Sequence, residues 1–417
     1  MTTSYIENLH LENVRQFKEL NITFNKGFNF IAGPNGCGKT SILAGISHCF
    51  THTSFQYSRF KDDSQFWVDI KVNDVKKRIG TGPNSINLAG YRKGSLKTVV
   101  KPPAAPDGRE VISVNESNTK IKEFCPLFIG AHRSIKYKQI NGMQRELPLD
   151  QQINQNLSSS SQSLYGEKES NIKQWFVNRY FVIDKDWAKE ERDNWFHMIN
   201  NLPFIGPFNS NFSYIKTEQE LEPIFSIYGE ECYLEELSSG FQAVLSIIAN
   251  IFEWVEGTNE PGKRVAKNAE GTVLIDELDL HLHPEWQFSL REGLSRIFPS
   301  LQFIVTTHSP HLLSSAAENE VIIMQKKDDN RYTLQPSEMR FSGWNTDQIL
   351  SEIMGVKSLE NKVYERLVSI ALLQIEEASI QGLRDAISNL VEVCHPSDSI
   401  VTVLKARLAS MVALQND

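Results

Sequence analysis

Eight residues, Gly33-Pro34-Asn35-Gly36-Cys37-Gly38-Lys39-Thr40, constrain this chain more than any others. They fit G-x-x-x-x-G-K-[ST], a loop that wraps a phosphate group. Phe28-Asn29-Phe30-Ile31 reads as a buried strand ahead of them, and Ile42, Leu43, Ile46 and Phe50 recur at helical spacing behind. The glycines let backbone N–H groups turn inward around an anion, and the new helix aims its positive dipole end at the same point. Lys39 is placed to reach the β- and γ-phosphates of a nucleotide, and the Thr40 hydroxyl to hold Mg²⁺. A turn of purely structural purpose would need neither the lysine nor the hydroxyl.

The chain has 417 residues, enough for two or three domains around a large core. No apolar run approaches the ~18 to 20 residues that span a bilayer. The opening residues lack the basic and apolar regions of a signal peptide. Five scattered cysteines without a C-x-x-C pair suit a reducing cytosol, and the expected location is cytoplasmic. A net charge of −8 argues against indiscriminate coating of nucleic acid but leaves room for a local basic groove.

Residues 4–31 alternate well enough for two or three strands. From Ser64 to Val114 short strand-like pieces mix with Gly, Pro and Ser, which predicts a small antiparallel β-subdomain with a mobile tip. That region carries Lys71, Lys76, Lys77, Arg78, Arg92, Lys93, Lys97 and Lys101, readable as a DNA-facing patch or as a solvated hairpin face. Pro126 to Ser134 predicts a buried strand with a polar end. The tract Gln151 to Ser163 is poor in apolar residues and predicts disorder or a linker. Residues 170–200 read as helices whose aromatics serve the core, and a helical tail closes the chain.

Three further motifs could carry chemistry. Thr272-Val273-Leu274-Ile275-Asp276-Glu277 is an apolar run that delivers two carboxylates at its end, where parallel sheets place their chemistry. Asp276 would order the Mg²⁺ sphere and Glu277 would polarise an attacking water. Leu301 to Pro310 is a second such strand, ending at His308, which could hydrogen-bond the γ-phosphate or that water. Glu236 to Gln242 brings Ser238, Ser239 and Gly240 to the start of an apolar helix, an ordinary N-cap when taken alone. His281 and His283 alternate across the backbone and lack a third ligand, so a structural role is expected of them.

In order along the chain, Gly33–Thr40, Leu237–Gln242, Asp276–Glu277 and His308 resemble the Walker A, signature, Walker B and switch histidine of ATP-binding cassettes. Asp276-Glu277-Leu278-Asp279-Leu280-His281-Leu282-His283-Pro284-Glu285-Trp286-Gln287 is similar to the run found in soluble RecF- and OLD-like ATPases. Val14 to Phe17 and Gly343 to Leu350 resemble the same group. Within it, a head with no coiled coil, an Ala-His-Arg-Ser strand and a helical tail most resembles the PtuA family, the ATPases of Septu antiphage systems, whose partner is an HNH nuclease. Two departures stand out: Leu278 replaces a proline, and Ser239-Gly240-Phe241 replaces Gly-Gly-Gln. By order, the His132-Arg133 strand end stands at the Q-loop.

The resemblance implies an α/β P-loop NTPase of the ABC ATPase head type, with a small antiparallel β-subdomain, helical insertions and a helical tail. The head would run over 1–355, with the β-subdomain at about 64–125 and the helical insertion at about 150–225, and the tail over 356–417. It adds Arg15, Ser41, Ser238, Ser239 and Gly240 to the nucleotide-binding set, makes Glu277 and His308 catalytic, and assigns Mg²⁺ to Thr40 and Asp276. It also implies ATP held between two copies in a head-to-tail dimer, alone or as the unit of a higher oligomer, and a separate nuclease subunit. DNA binding is possible, no membrane partner is expected, and this chain would carry no nuclease activity of its own. A RecF-like repair clamp is the alternative, and a transporter ATPase subunit a weaker one.

Overall fold

The computed structural model describes residues 4–416, except 52–53, 56–57, 59, 91–92, 97–99, 168–170, 206–209, 357–361 and 396–397. It divides into two units, Met1–Gly355 and Val356–Asp417.

The first unit is built on a five-stranded parallel sheet. Its strands are β3 (Phe28–Ala32), β9 (Leu127–Ile129), β13 (Gly271–Ile275), β14 (Leu301–Thr306) and β15 (Val321–Ile323), in the order β15-β3-β14-β13-β9. Every residue of β3, β13 and β14 is buried, as continuous apolar runs require when both faces of a sheet are covered. Strand alternation sends Phe28, Phe30, Val273, Ile275, Phe303 and Val305 to one core and Ile31, Leu274 and Ile304 to another. The first core is closed by α7 (Ser239–Thr258), an amphipathic helix that buries fifteen of its twenty residues. The second is closed by α1 (Lys39–Thr51), which lies between the parallel sheet and a second sheet. There α1 approaches closely: a Cβ on Gly45 would sit 3.0 Å from Leu11.

The second sheet has six strands: β1 (Tyr5–Val14), β2 (Phe17–Thr23), β4 (Phe60–Val72), β5 (Val75–Thr81), β8 (Glu110–Ser113) and β16 (Arg331–Leu334). Their order is β16-β2-β1-β4-β5-β8. The strand-like pieces after Ser64 are thus continuous with the N-terminal strands, because β4 pairs along most of β1. The sheet is also not purely antiparallel, since β8 and β16 join its two edges in parallel. A small hairpin, β6 (Ile86–Gly90) with β7 (Lys93–Leu96), and the helix α2 (Val114–Lys120) complete this region. Its cationic residues are largely neutralised in place: Lys71 pairs with Asp74, Lys76 with Asp107, Lys77 with Glu110, Arg78 with Asp69 and Lys101 with Glu116. That arrangement supports a solvated face rather than an anion-binding patch. Arg92 and Lys97 lie outside the described residues.

The tract from Gln151 to Ser163 is helical, correcting the expectation of disorder. It forms α3 (Leu149–Ser158) and α4 (Ser160–Leu164), anchored by buried Ile153, Leu157 and Leu164. Ser160 is buried and bound, its Oγ 2.8 Å from Ser47 Oγ on α1. The helices α5 (Ile172–Val182) and α6 (Lys189–Asn201) follow. Trp175, Phe176 and Trp195 enter the first core, whereas Trp187 and Phe196 remain exposed. The helical insertion ends before 225, because β10 (Ser213–Thr217), β11 (Pro223–Ile227) and β12 (Glu230–Tyr233) form an antiparallel sheet. After β13 come α8 (Pro284–Ile297), α9 (Pro310–Ser315) and α10 (Thr346–Gln348), the last opened by an Asn345–Gln348 capping box.

The second unit holds α11 (Lys362–Glu376), α12 (Ile380–Val393) and α13 (Ser399–Asn416) around Ala371, Leu383, Ala386, Ile387, Leu390 and Leu404.

Candidate functional site

The glycine loop leaves the end of β3 and enters α1, so its backbone N–H groups converge at a helix N-terminus. Gly33, Gly36 and Gly38 take φ values of 153°, 74° and 106°, which side chains disfavour. Two of the three also have no room for one. A Cβ on Gly33 would lie 2.1 Å from the Met324 carbonyl, and one on Gly38 would lie 1.9 Å from Gln16 Nε2. Pro34, Asn35 and Cys37 fill the loop between them, and the Cys37 N–H donates to the Pro34 carbonyl at 3.4 Å.

Lys39 folds back over this loop. Its ammonium donates to the carbonyls of Gly33 at 2.8 Å and Pro34 at 3.0 Å, and burial pulls its pKa below the usual lysine value. Next to it, Thr40 Oγ1 donates to Asp276, 3.0 Å from Oδ2 and 3.2 Å from Oδ1. A hydroxyl and a buried carboxylate that already share one point are a donor set of the kind a hard divalent cation takes.

Asp276 and Glu277 follow β13, and one residue of the next strand holds both. Thr306 Oγ1 donates to Asp276 Oδ1 at 2.6 Å and accepts from the Glu277 N–H at 2.8 Å. The Thr306 carbonyl accepts the Leu278 N–H at 2.9 Å. A proline at 278 would lack that donor, which gives a physical reason for leucine there. Glu277 has φ +48°, a strained value for this residue type. Its carbonyl accepts from Arg133 Nη2 at 2.8 Å, and the same nitrogen contacts the Asp276 carbonyl. Arg133 is almost wholly buried, and burial pushes its pKa down to about 10. The strand end at His132-Arg133 therefore supports the carboxylate pair from behind through backbone carbonyls.

His308 is half-buried past the end of β14, its pKa lowered by burial and then by the charge of Lys39. Asp279 fixes this turn by accepting from Thr307 Oγ1 at 2.6 Å and the His308 N–H at 3.0 Å. Arg15, in a left-handed conformation, donates to Ser41 at 3.1 Å, Ser58 at 2.9 Å and Tyr165 at 2.8 Å. The structure thus groups Gly33–Ser41, Arg15, Asp276, Glu277 and His308. Thr306, Thr307 and Asp279 are supporting residues that motif reading passed over, although Thr306-Thr307 directly precedes the histidine.

Ser238, Ser239 and Gly240 belong elsewhere. They open α7, with both serines exposed and a Cβ on Gly240 placed 3.3 Å from the His281 carbonyl. Phe241 is buried edge-on against Trp286 and Phe212, which accounts for an aromatic in place of glutamine. Gln242 donates to the Glu235 and Leu237 carbonyls and accepts the Ile135 N–H. His283 caps α8, accepting from the Glu285 N–H at 3.5 Å. Among the described residues no group of three or more His, Cys, Asp or Glu is placed to hold a metal ion, and no helix is long and apolar enough to cross a membrane.

A family model described as an AAA domain matches residues 8–238, more than half of the chain, and the chain belongs to that family. A Septu protein PtuA of Bacillus thuringiensis is 28% identical, covering 97% of this chain and 98% of its own length. A second, from Bacillus mycoides (strain KBAB4), is 27% identical over 96% of this chain, which spans only 52% of that relative. A retron Ec83 probable ATPase of Escherichia coli is 23% identical, covering 77% of this chain and 71% of its own length.

Proposed function

We propose that this AAA domain protein is an ATP-hydrolysing switch of an antiphage defence system, which pairs with itself around ATP and controls a separate nuclease of the HNH type. The observation that carries the ATPase reading is the meeting of Thr40, Asp276 and Lys39 at the mouth of the glycine loop. The similarity to Septu PtuA proteins and a retron ATPase supports the defence setting.

Lys39 would exchange its two loop carbonyls for phosphate oxygens when ATP enters, and the loop N–H groups would take the rest. Mg²⁺, held by Thr40 and Asp276, would supply charge neutralisation. Glu277 would orient a water and accept its proton, while neutral His308 would hydrogen-bond the γ-phosphate. Ser238 and Ser239, exposed on α7, suit contact with ATP bound by a second copy, which makes the working unit a two-fold pair. Closing such a pair fully asks for about 5.5 kcal/mol of differential binding, within reach of two shared triphosphates.

Three variants test the reading. Lys39→Ala loses ATP binding. Glu277→Gln binds ATP but accumulates the paired form without turnover. Ser239→Arg binds ATP yet fails to pair or hydrolyse. Wild-type turnover by Glu277→Gln or Ser239→Arg, measured as phosphate release beside analytical ultracentrifugation, refutes the assigned roles.

A further inference from the structure

Arg133 has a second face. Its Nε–H donates to the Gly130 carbonyl and Nη2 to the Asp276 and Glu277 carbonyls, but buried Nη1 has no hydrogen-bond partner among the described residues. A buried guanidinium N–H left without an acceptor is costly, so a turn of the guanidinium that gave Nη1 an acceptor would be favourable. Arg133 also lines a partly open cavity of about 400 Å³ bordered by β9, α3, α4, α5 and α7, with no residue of the glycine loop in its wall. That volume lies in the range of small-molecule sites, roughly 300 to 1,000 Å³.

The wall defines what it can take. Gln144, Gln155, Asn156, Gln174, Asn178 and Asn250 line it with side-chain amides; Gln174, Asn178 and Asn250 already donate to protein acceptors, and the other three can offer donor and acceptor side by side. Trp175 and Trp254 also line it; their indole N–H groups are bound to Glu256 and the Cys125 carbonyl, so they present apolar ring surface. Formal charge cancels once Glu256, outside the wall, is counted with the lining residues. Arg133, Arg145 and Arg179 line the space with Glu146 and Glu253, while Arg179 is bound to Glu146 and to buried Glu256 behind it. No excess positive field is left for a polyphosphate. A planar, uncharged heterocycle with carbonyl and amino edges matches all three features.

We propose that this cavity is a second ligand site, distinct from the glycine loop, that binds an uncharged nucleobase or nucleoside and draws Arg133 Nη1, closed to solvent in this structure, onto a ligand acceptor. The occupant would fix the guanidinium that holds the Glu277 carbonyl, and so regulate the hydrolytic centre; this coupling rests on the role proposed for Glu277. The helices α3, α4 and α5 supply part of the wall, so the site depends on the insertion as well as on β9 and α7.

The probes are adenosine, guanosine, cytidine and thymidine, titrated against the full chain by saturation-transfer NMR and calorimetry. At least one should bind saturably to wild type and equally to Lys39→Ala, whose glycine loop is disabled. Asn250→Phe, which fills the cavity from α7, and independently Asn156→Phe, which fills it from α3, should each weaken binding about tenfold or more. The same nucleoside should change wild-type ATP turnover but leave turnover of the Asn250→Phe protein unaffected. The site is refuted if no probe binds at millimolar concentration, if neither filled variant loses binding, or if only the phosphorylated forms bind. Failure of the wild type to hydrolyse ATP, with nucleoside binding intact in Lys39→Ala, would remove the coupling and the ATPase reading but leave the cavity site standing.

Discussion

Thr306 offers the sharpest test of how the carboxylate pair is held. Thr306→Val keeps the shape of the side chain and deletes one hydroxyl. That hydroxyl donates to Asp276 at 2.6 Å and accepts from the Glu277 N–H at 2.8 Å, in a residue 1% exposed. A hydrogen bond to a charged group contributes about 1.5–3 kcal/mol, and a buried donor left unpaired costs about 1–3 kcal/mol. Burying a methyl instead of a hydroxyl returns about 1 kcal/mol or more. The net expectation is a loss of about 2 kcal/mol in the nucleotide-free protein, read as a shift in the urea midpoint. Turnover should fall further than stability, because Glu277 would lose a restraint on its strained backbone, φ +48°. Thr306→Ser retains the hydroxyl and should keep most of both properties. If valine and serine behave alike, or valine costs less than about 0.5 kcal/mol, a limit set by typical neutral substitutions, the hydroxyl is not the clamp described here.

The remaining predictions concern the loop, the buried charges and pH. Gly33→Ala should weaken ATP binding about tenfold or more by calorimetry, since its Cβ would enter the Met324 carbonyl at 2.1 Å and φ is 153°. Glu256→Gln should destabilise the protein by about 3 kcal/mol in thermal unfolding, because buried Arg179 would lose its fully buried partner and keep only half-exposed Glu146. Burial holds the His308 pKa below its usual 6.5, so the unfolded chain takes up a proton first as pH falls. The stability that neutral His308 supports is complete well above pH 6.5 and is lost below it. Between pH 7.5 and 5.5 the wild-type melting temperature should therefore drop more than that of His308→Gln.

The glycine loop, the Asp276-Glu277 strand and the His308 strand were legible because each is a local pattern: an apolar run followed by fixed polar residues. What supports them was not, since Thr306, Arg133 and Asp279 matter through partners between 28 and 144 residues away in sequence. The tract from Gln151 to Ser163 misled for a different reason. Its Gln, Asn and Ser content outweighed the i, i+4 spacing of Ile153 and Leu157, yet those two anchors and Leu164 suffice once α1 supplies a hydroxyl partner for Ser160. The continuity of β4 with β1 was hidden too, because strand pairing across the intervening loop and α1 leaves no local signal.

The strand order β15-β3-β14-β13-β9 has a consequence for synthesis. Both neighbours of β3 come from residues 301–306 and 321–323, so an emerging polypeptide presents its glycine loop hundreds of residues before the ribosome has made the strands that flank it. Closing such distant pairings is slow and leaves apolar edges uncovered meanwhile. A product released prematurely, short of β14, would carry the complete phosphate motif without either strand that flanks β3, and should fail to hold nucleotide.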